Sequence, residues 1–212
     1  MLDLIIGRRE LGKTTLAVSL CRHFSTRVIF DPRHMIKTSP IILYETSQVR
    51  GVLYELLNEQ AEIIVRPNFD VDETFDAMCG EIYRWLKDNP GEPFCLLIDE
   101  VRFLEAPEQN SFFDHIVRCV PRSDVTVVLT CHRLVDLATD LRAISDYWLI
   151  FRLTLAADMD RVRERCGEEV AVAVENLNPF EYVIWDDSKG VWKIRTDKET
   201  WKVDLDKIPV TA

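Results

Sequence analysis

The apolar residues of this 212-residue chain keep two rhythms. Short, nearly continuous apolar runs recur: "MLDLIIG" (1–7), "RVIFD" (27–31), "PIILYE" (40–45), "AEIIVRP" (61–67), "PFCLLIDE" (93–100), "DVTVVLTCHR" (124–133) and "DYWLIFRL" (146–153). Each has the length of a strand buried on both faces. Between them lie longer stretches with apolar residues three and four apart, which predict helices over 14–24, 47–59, 70–89, 108–120, 134–144 and 156–177. Ser47 is the expected cap of the second helix, and Pro90-Gly91 the stop of the third. The tail "PFEYVIWDDSKGVWKIRT" (179–196) alternates about Asp187-Ser188-Lys189-Gly190 and reads as a β-hairpin. Strands alternating with helices predict an α/β fold: a mainly parallel sheet flanked by helices, closed by that hairpin. No repeat, linker or low-complexity tract interrupts the pattern, so residues 1–212 are expected to form a single domain.

The first strand and first helix are joined by "GRRELGKTT". Gly7, Gly12, Lys13 and Thr14 fill the formula G-x-x-x-x-G-K-[ST], in the strand–loop–helix context that a phosphate-binding loop requires. The two glycines let the backbone turn so that successive N–H groups point into one hollow. The helix N-terminus adds partial positive charge. The expected nucleotide contacts are therefore Gly7, Arg8, Arg9, Glu10, Leu11, Gly12, Lys13, Thr14 and Thr15. Lys13 would reach the β- and γ-phosphates of ATP, and the Thr14 hydroxyl would hold Mg²⁺. The protein is read as a P-loop NTPase.

A second signal stands in "FCLLIDE", an apolar strand ending in two carboxylates. Asp99 would support Mg²⁺ through its water shell, and Glu100 would orient and polarise the attacking water. A glutamate directly after the aspartate favours hydrolysis over small-molecule kinase chemistry, which must keep water out. "VVLTCHR" supplies a third, because Thr130, His132 and Arg133 stand where a neighbouring strand can bring polar groups to the γ-phosphate.

Composition narrows the setting. No apolar run approaches the roughly 20 residues of a membrane span, and no signal peptide is expected ahead of the first strand. The six cysteines are scattered and form no C-x-x-C pair, which reads as reduced, buried thiols in a cytoplasmic protein. A net charge of −10 excludes a protein whose whole surface clamps nucleic acid, but not one that gathers basic groups at a pore.

In order and spacing these segments resemble the ATP-driven DNA translocases of the FtsK–HerA superfamily, nearly end to end. "FDPRHM" resembles that family's "DPK" segment, "LLIDEVRFL" its Walker B, and "RCVPRSDVTVVLTCHRL" its "RxGRxxGxxxxxxTQRP". "TDLRAISDYWLIFRLT" resembles the helix and "FRL" strand that follow, and "ADMDRVRERCG…ENLNPFEYVIW" the tail before a last hairpin. Three positions depart from the pattern. His132 replaces the family's Gln, Leu134 its Pro, and Pro121 the Gly before its Arg. Histidine can still donate and accept one hydrogen bond each, but it would bring a pH dependence that Gln lacks. Size and the lack of room for further domains make the chain most similar to the compact genome-packaging ATPases of double-jelly-roll viruses.

The resemblance implies a homo-oligomeric, hexameric ring that hydrolyses ATP with Mg²⁺ and moves double-stranded DNA. It would work in host cytoplasm or on the virion, with capsid or membrane-vertex proteins as further partners. It also implies that Arg122 is an arginine finger given to the neighbouring subunit, with Arg118, Arg133 and Arg142 as alternates. Arg33, His34 and Lys37 are expected on loops that face DNA. The competing reading is a nucleotide switch or small kinase that moves no DNA. No N-K-x-D element supports the switch, and "RVRERC" (161–166) is a poor imitation of a kinase lid. A non-catalytic assembly protein with a vestigial P-loop is opposed by the intact Lys13, Thr14, Asp99 and Glu100.

Overall fold

The computed structural model describes residues 1–37, 41–118 and 124–195. The expected apolar runs become strands β1 (Leu2–Ile6), β2 (Thr26–Phe30), β3 (Ile41–Leu43), β4 (Glu62–Val65), β5 (Phe94–Ile98), β6 (Val125–Cys131) and β7 (Tyr147–Phe151). The hairpin forms as β8 (Tyr182–Asp186) and β9 (Val191–Arg195). All nine join one sheet in the order β3-β4-β2-β5-β6-β1-β7-β8-β9. Pairing is parallel from β3 through β7 and antiparallel from β7 to β9.

The central strands are apolar throughout because both sheet faces are covered. Leu4 and Ile6 turn to one face, Ile5 to the other, and all three are fully buried. The first face packs α2 (Thr46–Asn58), α3 (Val71–Asp88), α4 (Ser111–Arg118), α6 (Ala156–Cys166) and α7 (Glu168–Glu175), through side chains such as Leu53, Ile82, Ile116, Val162 and Val170. The second face packs α1 (Lys13–Cys21) through Leu16, Ala17 and Leu20. Each such Leu, Ile or Val side chain stabilises the fold by roughly 1.5–3 kcal/mol relative to exposure.

Three local expectations are revised. Ser47 lies inside α2, and Glu45 caps that helix instead: it forms a capping box in which Gln48 reaches back to the Glu45 N–H at 3.1 Å. The helix expected over 134–144 is a 3-10 turn, Leu134–Asp136, followed by the short α5 (Thr139–Ala143). The helix expected over 156–177 breaks at Gly167, whose φ of 93° and ψ of 168° take the chain out of helical geometry between α6 and α7. Apolar spacing alone does not reveal the break, because Val162, Cys166, Val170 and Val174 stay buried across it.

The sheet order positions the site. β1 pairs with β6 and β7, while β5 pairs with β6 and β2. The chain therefore leaves β1 and returns three strands away, at β2, which creates a crevice beyond the carboxyl ends of the strands. β6 runs between β1 and β5, so the residues that end it are flanked by the P-loop on one side and by Asp99-Glu100 on the other.

Candidate nucleotide site

The P-loop begins where Gly7 N–H donates to the Cys131 carbonyl at 3.3 Å and Arg8 N–H to the Arg152 carbonyl at 3.4 Å, pinning it between the ends of β6 and β7. A Cβ on Gly7 would come within 2.5 Å of Phe151 Cβ, and its φ of 151° lies where L side chains are rare. Only glycine fits there. Arg8, Arg9, Glu10 and Thr15 are exposed, Leu11, Gly12 and Thr14 half-buried, and Lys13 buried. Gly12, at φ 94°, precedes the first turn of α1, and its carbonyl accepts from Leu16 N–H at 2.9 Å.

Two hydroxyls organise the carboxylates at the end of β5. Thr14 Oγ1 donates to Asp99 Oδ1 at 3.0 Å, and Thr130 Oγ1 donates to the same oxygen at 2.7 Å. Thr130 Oγ1 also accepts from Glu100 N–H at 2.8 Å. The sequence placed Thr130 at the γ-phosphate, whereas the fold uses it to hold both acidic residues. That role depends on the register of β6 against β5, which leaves no local trace. Burial raises the Asp99 pKa above the usual carboxylate value, and the two hydroxyl hydrogen bonds pull it back. Glu100 takes a left-handed backbone, φ 57° and ψ 64°, a conformation that costs roughly 1–3 kcal/mol for a non-glycine residue. Backbone strain of this kind clusters at active sites and ligand clamps.

Lys13 Nζ donates to the Arg8 carbonyl at 2.8 Å and lies 3.0 Å from His132 Nδ1. His132 Nδ1 is also 3.3 Å from the Gly7 carbonyl. Its other nitrogen, Nε2, is 2.8 Å from Glu100 Oε1. Arg102 Nε approaches Glu100 Oε2 to 3.3 Å. Neither Nε2 nor Oε2 reaches hydrogen-bonding alignment, so these are close polar contacts, and Oε2 is a buried acceptor without a hydrogen bond. Burial lowers the Lys13 pKa while Glu100 opposes the shift. Burial raises that of Glu100 while Lys13 opposes it. His132 is pushed down to about 4, by burial first and Lys13 second, so the ring is neutral at pH 7. The pH dependence anticipated for a histidine here is therefore displaced well below the physiological range.

The arginines divide. Arg133 Nε is 3.4 Å from buried Asp158 of α6, whose other oxygen accepts from Val135 N–H at 3.3 Å. Arg133 thus ties the loop after β6 to α6. Arg118 pairs with Asp114 and Asp140. Arg142 donates to the Leu134 carbonyl and to Thr139. Arg122 lies outside the described residues, as do Pro121 and Cys119. Cys21, Cys79, Cys95, Cys131 and Cys166 are free and buried, and Cys131, beside the site, is pushed up to about 12 by burial. The loop after β2 is held by Asp31, whose carboxylate accepts from Met35 and Ile36 N–H at 3.0 Å each and from Arg66 at 2.9 Å. This loop carries Arg33, a half-buried residue whose charge is felt at both Lys13 and Glu100, together with the exposed His34 and Lys37.

The residues present fit a nucleotide with its magnesium. Thr14 Oγ1 and Asp99 Oδ1 already meet, offering a hydroxyl and a carboxylate oxygen of the hard type that Mg²⁺ takes. Lys13 is close enough to the loop to exchange the Arg8 carbonyl for a phosphate. Glu100 Oε2 can accept from a water. Among the described residues no group of three or more His, Cys, Asp and Glu could hold a metal ion. No helix of the described residues is long and apolar enough to cross a membrane.

No protein-family model and no curated protein matches the sequence. Solved structures do. The genome-packaging NTPase B204 of Sulfolobus turreted icosahedral virus 2, in complex with sulfate, aligns over 92% of this chain and 95% of its own, with a TM-score of 0.73 at 17% identity. The same NTPase in complex with ATP-gammaS aligns with a TM-score of 0.72 at 16% identity, over 92% and 96%. VirB4 of Thermoanaerobacter pseudethanolicus aligns over 92% of this chain and 90% of its own, with a TM-score of 0.63 at 13% identity. The chain has the P-loop ATPase fold of these proteins, the fold expected from its resemblance to the FtsK–HerA superfamily.

Proposed function

We propose that this protein is an ATP hydrolase whose single motor domain, residues 1–212, assembles into a ring and moves double-stranded DNA, in the packaging of a viral genome. One observation carries the reading. Lys13 and Thr14 from the start of α1, Asp99 and Glu100 from the end of β5, and His132 from the end of β6 meet in one crevice. Each has a role there. Lys13 binds the β- and γ-phosphates, and Thr14 and Asp99 hold Mg²⁺, which neutralises charge on the phosphates when bound. Glu100 accepts a proton from water at its free Oε2 and so aims it at the γ-phosphate. The backbone of the P-loop, Gly7 to Thr15, orients the phosphate chain.

Charge developing in phosphoryl transfer calls for a cation from outside the P-loop. Arg118, Arg133 and Arg142 are engaged with partners in their own subunit. That supports Arg122 as the group given in trans, with Arg133 positioning the His132 loop. The genome-packaging NTPase B204 shares this fold, which supports DNA as the polymer moved. Hexameric assembly, capsid or membrane-vertex partners, and work in the host cytoplasm or on the virion follow the same resemblance.

The test combines sedimentation with turnover. The protein with ATP analogue should sediment as a ring, and duplex DNA of any sequence should stimulate hydrolysis. A net charge of −10 should keep the monomer off DNA, and salt should weaken ring binding steeply. Monomeric hydrolysis indifferent to DNA would instead support a nucleotide switch or small kinase.

A further inference from the structure

Lys13, His132 and Glu100 form a chain through the imidazole that the nucleotide-site reading leaves unused. A lysine ammonium can only donate. With Lys13 Nζ 3.0 Å from Nδ1, that nitrogen must present its lone pair, and the single proton of the neutral ring resides on Nε2. Nε2 is the nitrogen 2.8 Å from Glu100 Oε1, in close contact though not aligned for a hydrogen bond. The P-loop lysine therefore dictates, through the ring, what the glutamate faces. The ring also has an alternative acceptor for an Nδ1 proton, since the Gly7 carbonyl is 3.3 Å from Nδ1.

We propose that His132 is a positioning residue whose tautomer couples Lys13 to Glu100: with Lys13 on Nδ1, the Nε2–H faces Glu100 Oε1 and attracts it toward a resting position beside the ring. When phosphates draw Lys13 away, the proton sits on Nδ1 and the glutamate is released. The inference rests on the reading of this crevice as a nucleotide site. In the resting state, Lys13 is parked on the Arg8 carbonyl and His132, and Glu100 lies against Nε2–H. In the loaded state, Nδ1 is vacated by Lys13 and donates to the Gly7 carbonyl. Nε2 then offers a lone pair. A lone pair facing a carboxylate repels it, so Glu100 turns from the ring toward water. One proton leaves Nε2 for solvent and one reaches Nδ1 from solvent, so the ring stays neutral throughout. Glutamine, the residue of the resembling family at this position, cannot make this exchange, because its amide donor and acceptor are different atoms.

The tautomer is directly readable, because a protonated and an unprotonated ring nitrogen resonate in separate ¹⁵N regions. The chain has four histidines, and the His132 signals are those lost in His132→Gln. In ¹⁵N-histidine-labelled protein, His132 should be protonated on Nε2 without nucleotide and on Nδ1 with Mg²⁺ and a non-hydrolysable ATP analogue. Lys13→Met, which keeps an unbranched side chain one atom shorter and removes its charge, provides an arm independent of nucleotide. Its His132 should carry the proton on Nδ1 with the site empty. An Nε2 proton in Lys13→Met, or the same tautomer in parent protein before and after analogue binds, overturns the coupling. Failure of the analogue to bind, with the Lys13→Met tautomer shifted as expected, leaves the coupling standing and removes the nucleotide reading instead.

Discussion

The Thr14 hydroxyl donates to Asp99 Oδ1 at 3.0 Å, although 85 residues separate the two in sequence. Thr130 donates to the same oxygen, so Asp99 keeps one hydrogen bond if Thr14 is removed. Thr14→Ala should therefore cost the fold about 1 kcal/mol, the typical net worth of one hydrogen bond. Its loss in Mg²⁺-dependent ATP binding should be much larger. Urea titration and calorimetry with and without Mg²⁺ compare the two. Unchanged Mg²⁺ dependence would remove Thr14 from the ion.

Lys13→Ala should abolish nucleotide binding, because the hollow loses the cation that reaches its phosphates. Glu100→Gln should keep ATP bound and stop turnover, since an amide cannot take the proton from water. Filter binding and phosphate release separate the two effects. Parent-like turnover in Glu100→Gln would take Glu100 out of catalysis.

Arg122→Ala should bind ATP normally and hydrolyse it at least roughly a hundredfold more slowly, as arginine fingers generally do. Mixing it with Lys13→Ala protein should restore part of the activity, because mixed interfaces pair an intact Arg122 with an intact P-loop. No recovery in co-assembled mixtures would place Arg122 in cis.

His132, with a pKa of about 4, stays neutral from pH 5.5 to 8.5. The kcat/KM profile over that range, which reports the free enzyme, should have the same shape in parent and in His132→Gln, even if the absolute rates differ. A step near pH 6.5 present only in the parent would show that the ring titrates in the working range.

Asp3 predicts a stability effect far from the site. It is buried on β1, its Oδ1 has no hydrogen bond, and burial lifts its pKa to about 7 despite the nearby N-terminal amine. Its folded-state pKa is above the unfolded value of 3.8, so the unfolded state holds fewer protons between these values. Stability is therefore lost as pH rises from about 4 through 7. Asp3→Asn should be more stable than the parent at pH 8, by roughly 1–4 kcal/mol, with the gain fading toward pH 4. Denaturant midpoints at the two pH values measure it, and an equal difference at both would refute the buried-charge account.

Much of this molecule was legible in the sequence because its signals are local. An apolar run marks a strand wherever it pairs. The spacing of Gly7, Gly12, Lys13 and Thr14 sets the turn between β1 and α1 from adjacent backbone groups, and Asp99-Glu100 announces itself at a strand end. Helix ends were less legible. The cap on Glu45 and the break at Gly167 each turn on a single residue's backbone, while the apolar spacing around them runs on unchanged.

Only the tertiary structure decided that β6 runs between β1 and β5, and so that Thr130 holds Asp99 and Glu100 while His132 stands between Lys13 and Glu100. It also decided that Arg133 belongs to Asp158. Strand order and register follow from the summed burial of side chains far apart in sequence. No short stretch contains that sum, so residues recognisable one by one acquire their partners only when the sheet closes around them.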